Sequence, residues 1–241
     1  MTLAAIFFGF RGLIMTKVFS SLILNILFTS LAIAAPMPTT STLDKSWQQV
    51  SSDEGIVTHR KEIDGSPLVA FRGETVIDVP IAKVANILMD TSRKLEWVHK
   101  IVEARDVRQI NEYERIEYNH TASGFFAVRD RDFVFHAKAT IDRPKNQVHF
   151  TLKSVADSLA PETDCVRGSL NESRYVLTSI DGGKKTHIVV EIHADPKGSV
   201  PNWLVNIFQK AWPRRTLDNI KKQASKDDVK EHPGIKAQLS S

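Results

Sequence analysis

From position 131 onward the chain alternates apolar and polar side chains with the period of a strand. Phe133, Phe135, Ala137, Ala139 and Ile141 fall on one face, and Val134, His136, Lys138, Thr140 and Asp142 on the other. Val148, Phe150 and Leu152 repeat the pattern, as do Ile188, Val190, Ile192 and Ala194. Asn111-Glu112, Arg143-Pro144-Lys145-Asn146 and Asp181-Gly182-Gly183 supply reversals between the runs. The pattern predicts strands at about 102–110, 113–121, 131–142, 147–155, 164–170, 173–181 and 186–194, joined as an antiparallel meander. Upstream it predicts a short helix carrying Trp47 and then a hairpin of strands 56–63 and 68–77 about Asp64-Gly65-Ser66-Pro67. A helix capped by Asp78 follows, with Ile81, Val84, Ala85 and Leu88 on one face. The segment 91–101 reads as irregular or as a short second helix.

After Val200-Pro201 the period becomes helical. Val200, Trp203, Leu204, Ile207, Phe208, Ala211 and Trp212 keep a three- and four-residue spacing along one face of a helix that runs to about Lys222, with Pro213 expected to kink it. A sheet with one apolar face needs a cover, and this helix is the late element with a matching stripe. The expected fold class is therefore α+β, a curved antiparallel β-sheet wrapped around a long C-terminal α-helix. Periodicity alone fits a filled core as well as a hollow one. The step from Phe to Ala along 133–139, with Trp203 and Trp212 on the helix, favours the hollow.

Composition narrows the setting. The 241 residues are 42% hydrophobic and 25% charged, enough for one sizeable globular domain. The formal charge of +4 falls to +2 once Arg11 and Lys17 are set aside with the leader, too mild a balance to expect nucleic acid as a partner. Residues 1–35 read as a signal peptide, with Met15 the better start: Lys17, an apolar run and Ala32-Ile33-Ala34 before Ala35 form an export signal with a small-residue cleavage site. Residues 36–43 read as a linker, 44–225 as the domain and 226–241 as a polar C-terminal tail. The expected place is outside the cytoplasm, in a bacterial periplasm or secreted. Cys165 stands alone, so no internal disulfide can form, and a monomer held by its core is expected.

Three stretches carry a resemblance: Val79-Pro80 through Leu88 to Trp97, Arg131-Asp132-Phe133-Val134, and Gly198-Ser199-Val200-Pro201-Asn202-Trp203-Leu204. In this order and spacing they resemble the START family of lipid-binding domains over roughly Trp47 to Lys222. The resemblance implies a helix-grip fold around a tunnel for one hydrophobic molecule, a sterol, phospholipid or other lipid, with the last helix and adjoining loops as a lid. It implies no cofactor. Carried onto this chain, Phe133, Phe135, Phe150, Leu152, Ile188 and Val190 would line the walls. Leu204, Ile207 and Phe208 would form the lid face and Trp203 would stand near the mouth, with polar selectivity near Tyr118 and Arg129. Some members place a second Arg six residues after the Arg of the motif, paired with an acid on the next strand. Here Ala137 holds the first place, Tyr118 the second, and Glu117 is one residue out of phase, so a buried ion pair is not expected.

Other chemistries are weaker. His136, His149, His193 and Glu191 share parity, but on the polar outward face, so no metal is expected. No Gly-x-Ser-x-Gly occurs. The alternative function is an enzyme of the same fold, a cyclase or hydrolase acting on an apolar substrate through Tyr118, His120 or Arg129; with no acid/base pair in evidence, carriage is preferred over catalysis. Lys210, Arg214, Arg215, Lys221 and Lys222 would suit transient contact with an anionic membrane surface.

Overall fold

The computed structural model describes residues 44–239 except 125 and 127, and the side chains of 172, 202–204 and 208 are outside that description. The leader 1–35 and the linker 36–43 lie outside the described residues. The chain runs β1 (Gln48–Asp53), β2 (Ile56–Lys61), β3 (Ala70–Ile77), α1 (Ile81–Met89), a 3-10 turn (Thr91–Glu96), β4 (Ile101–Asn111), β5 (Glu114–Thr121), β6 (Arg131–Asp142) and β7 (Gln147–Ser154). It continues with β8 (Val166–Arg167), β9 (Ser169–Ile180), β10 (Lys185–Asp195), α2 (Asn202–Ala224) and α3 (Pro233–Leu239). The strands form one curved open sheet in the order β1-β2-β3-β10-β9-β7-β6-β5-β4, with the short β8 parallel to β6 and every other pairing antiparallel.

Most predicted elements form where the pattern places them, and the hairpin of β2 and β3 is among them. Two differ. Trp47 precedes a strand, β1, because Asp44 closes a turn onto Ser46 and residues 48–53 then pair with β2. Asp78 does not cap α1: Pro80 stands at that position, two residues too late for the Asp side chain to reach, and Asp78 pairs with Lys185 at 3.2 Å.

The core forms because α1 turns Ile81, Val84, Ala85 and Leu88 onto the sheet, where they meet Leu177, Ile188 and Val190. The C-terminal half of α2 enters the same cluster through Leu217, Ile220 and Ala224. α2 crosses β3 very closely: a Cβ on Gly73 would lie 2.8 Å from Pro213 Cβ and 3.0 Å from Leu217 Cδ1, so only glycine leaves room. The helix is assigned without a break through Pro213.

The expected polar tail is not one. Its sequence is mostly polar, yet Val229 and Ile235 are 6% and 0% exposed and belong to the core that α1 builds. The His232 amide donates to the Ala82 carbonyl at 2.9 Å, fastening the segment to α1.

Candidate functional site: a cavity between sheet and helix

The register aligns side chains into rows across the sheet. Ile141, Val148, Leu177 and Ile188 form one, Ala139, Phe150, Tyr175 and Val190 the next, and Arg115, Ala137, Leu152, Ser173 and Ile192 a third. Under α1 and the C-terminal half of α2 the first row is packed solid. Beyond it, toward the other end of the strands, the sheet and α2 separate around a cavity of about 360 Å³. Phe133, Phe135, Ala137 and Ala139 of β6, with Phe150 and Leu152 of β7, line it. Val205, Gln209 and Trp212 of α2 close the opposite side. The Phe-to-Ala step lies within this lining, where the small side chains at 137 and 139 leave space.

One wall is polar. β5 turns Arg115, Glu117, Asn119 and Thr121 inward, because each pairs directly with an inward residue of β6 or shares its parity, while Ile116 and Tyr118 face outward. Glu117 is fully buried and receives hydrogen bonds from the Lys94 ammonium and, at 3.2 Å, from Arg115. Arg115 also reaches Asp106 at 3.1 Å and the Leu88 carbonyl at 3.2 Å. Lys94 lies 5.6 Å from the Phe135 ring centroid. Burial pushes the Lys94 ammonium down, and Glu117 works against that shift. Burial likewise pushes the Tyr175 phenol up, with Glu117 adding to it, so the phenol stays protonated. Four lining atoms have no hydrogen-bond partner among the described residues: Trp97 Nε1, Asn119 Oδ1, Ser173 Oγ and Gln209 Oε1. An unpaired buried polar atom is costly, so these mark places where a guest or water can bond.

Comparison with known proteins decides the family. The sequence model of the START domain matches residues 40–212, most of the chain. The chain belongs to the START domain family. It is 24% identical over 190 residues to an uncharacterised Pseudomonas aeruginosa protein, covering 77% of this chain and 90% of that one. Mouse phosphatidylcholine transfer protein is 22% identical over 166 residues, covering 66% of this chain and 75% of that one. Among solved structures, human StAR-related lipid transfer protein 5 superposes with a TM-score of 0.69 at 18% identity, covering 75% and 86% of the two chains. A STAR-related lipid transfer protein of Xanthomonas axonopodis gives 0.67 at 22% identity, covering 75% and 99%. The fold is the helix-grip fold expected, and membership assigns the chain to lipid-binding and lipid-transfer proteins in general.

In this START domain the four alternating charges at the start of β6 tie down three segments around the cavity. Arg129 donates from Nε to the Asp164 carbonyl at 3.0 Å. Asp130 accepts from the Ser123 amide at 2.8 Å and lies 2.9 Å from His120 Nε2, which fixes the loop between β5 and β6. Arg131 donates to the carbonyls of Pro196 and Lys197 at 3.2 and 3.1 Å, and to that of Arg129, holding the turn that leads into α2. Asp132, 0% exposed, accepts from Arg167 at 2.8 and 3.0 Å and from Thr163 at 2.8 Å, so the 156–167 segment lies against the outer face of β6. Strand alternation sends neighbouring charges to opposite sides, which is how one short run serves both faces.

Of the residues the resemblance singled out, Phe133, Phe135, Phe150 and Leu152 line the cavity. The Phe133 ring rests on Gly168, where any side chain would collide with it. Ile188 and Val190 do not line it: both are 0% exposed, Ile188 in the filled row and Val190 in the next, and Ile192 and Ala194, further along the same face of β10, take their place. Tyr118 faces the outer side, packed with Val134 and Ala160 under the 156–167 segment, with Arg105 4.7 Å from its ring. Arg129 is exposed and occupied with backbone carbonyls, whereas Arg131 reaches the cavity. Ile207 is 56% exposed, on the solvent side of α2. The side chains of Trp203, Leu204 and Phe208 lie outside the described residues. A buried ion pair is present after all; the acid is Glu117, and its partners are Lys94 from the 3-10 turn and Arg115 from its own strand. Parity with the β6 register was the available signal. Of the residues weighed for a metal, His136 lies 2.7 Å from Glu114, His149 contacts Gln147, and Glu191 pairs with Arg72 and Arg174. Of the five cations expected to meet a membrane, Arg214 is engaged by Asp53 and Glu54, at 2.8 and 2.6 Å, and Arg215 lines the cavity.

Proposed function

We propose that this domain encloses one hydrophobic, lipid-like molecule between β6–β7 and α2 and carries or senses it as a monomer after export to a bacterial periplasm or beyond. The observation that carries this reading is the hollow itself, walled by Phe133, Phe135, Phe150 and Leu152 and left open by Ala137 and Ala139. Burying the guest's surface there is favourable by about 25 cal/mol per Å². The unpaired atoms of Trp97, Asn119, Ser173 and Gln209 would then select among guests. Tyr118, His120 and Arg129, on which the catalytic alternative depends, are not among the lining residues, and carriage needs no reacting group.

Native mass spectrometry with lipid extraction tests the reading. The purified chain should carry a single equivalent of an extractable lipid. Ala137→Phe, which fills the space beside Phe135, should lose that lipid while remaining folded, at a cost of about 1–3 kcal/mol for the added bulk. A preparation free of lipid that also takes up no hydrophobic probe, or an A137F variant that loads normally, would sink the proposal.

A further inference from the structure

The charges around the cavity are lopsided. Six Lys or Arg side chains line it among the described residues, and no Asp or Glu does. Away from the mouth the imbalance is only formal. Lys94 and Arg115 are answered from behind by Glu117 and Asp106, and Lys138 has Glu114 within 3.8 Å. At the solvent end it is real. Arg215 and His99 are both exposed there, and the Arg215 guanidinium lies against His99 Nε2 at 3.2 Å with no carboxylate within 4.0 Å among the described residues. Lys100 adjoins them and donates to the Ser123 carbonyl at 2.9 Å. Arg131 directs its guanidinium to backbone carbonyls. Burial pushes the His99 imidazole down, and the neighbouring Arg215 and Lys100 add to that shift.

Size restricts the guest further. A volume of about 360 Å³ stands near the lower end of the roughly 300–1,000 Å³ found for sites that hold one drug-sized molecule. That size suits one chain better than two.

Resting on the lipid-binding reading above, we infer that the guest is a single-chain amphiphile with an anionic headgroup, a carboxylate or a phosphate. Arg215 and His99 hold that headgroup at the mouth, and the chain lies along the wall from Phe133 to Ala139. The guanidinium supplies paired donors suited to either oxyanion. The inner ion cluster stays paired and forms one side of the chain's channel.

Binding of dodecanoate, dodecyl phosphate, dodecan-1-ol and dipalmitoyl phosphatidylcholine to the full chain tests this, read by native mass spectrometry at fixed salt. One of the two anions should bind about tenfold more tightly than the alcohol, as a charge-assisted hydrogen bond allows. Which anion leads tells a carboxylate ligand from a phosphate one. Arg215→Glu should reduce that preference to about twofold or less without weakening the alcohol, because the variant sits on an exposed helix position and leaves the walls intact. Lys210→Glu, equally exposed on α2 but not lining the cavity, should leave the preference unchanged. The inference is overturned if the alcohol binds as well as both anions, if K210E acts like R215E, or if phosphatidylcholine outcompetes both anions. Uptake of an extracted lipid with no dodecyl compound bound overturns this inference alone; no uptake of anything overturns the lipid-binding reading with it.

Discussion

Asp132 is a carboxylate with no exposure that nevertheless stays charged. Burial alone would raise its pKa, but hydrogen bonds from Arg167 and Thr163 outweigh burial and hold the carboxyl below its ordinary range. A group depressed in this way adds stability above its unfolded value of 3.8, and that stability disappears as pH falls through the folded value. Asp132→Asn should therefore cost about 2 kcal/mol in urea unfolding at neutral pH, since a charge-assisted pair is replaced by a neutral one while Arg167 remains. The gap between wild type and variant should narrow as pH is lowered below about 4. An unchanged gap down to pH about 2 would mean that Arg167 is not the partner that matters. Glu117 makes the same point from the cavity side: a buried acid is tolerable where two cations reach it.

At the scale of elements, contact between β3 and α2 turns on a single hydrogen atom. Gly73→Ala should destabilise the fold by about 1–3 kcal/mol, because Pro213 and Leu217 cannot both retreat from an added methyl; thermal unfolding at a single pH measures it. The sheet and the long helix were legible in the sequence because alternation and the three-to-four step each report which residues share a face. The β6 and β7 walls were legible for the same reason. Alternation does not report where along a strand packing gives way to space, so Ile188 and Val190 were assigned to the cavity although α1 and Leu217 cover them. β5 was legible only in reverse. Its polar residues face inward, held by Lys94 from a turn 23 residues upstream, and Ile116 and Tyr118 face a pad that arrives 40 residues later. No local pattern encodes partners so far apart. The charges of 129–132 could be seen to mark the start of a strand; the carbonyls they hold could not.

Across the molecule, the closed end of the sheet is sealed by more than α1. Ile235, 0% exposed, anchors the last segment into the common core, and Ile235→Ala should cost about 2–5 kcal/mol in denaturant unfolding. A cost below about 0.5 kcal/mol would show that 226–239 is a tail after all. α2 spans both regions. Beyond Pro213 it is embedded, with Leu217 and Ile220 at 0% exposure; before Pro213 it borders the hollow through Val205, Gln209 and Trp212. Pro213 brings no N–H to the Gln209 carbonyl, so the two parts are joined by one backbone bond fewer than elsewhere along the rod. Swinging the first part outward therefore breaks less than uprooting the second. On the proposed carriage, the rate at which a guest is exchanged and the resistance of the protein to unfolding are set by different halves of one helix and can be tuned apart.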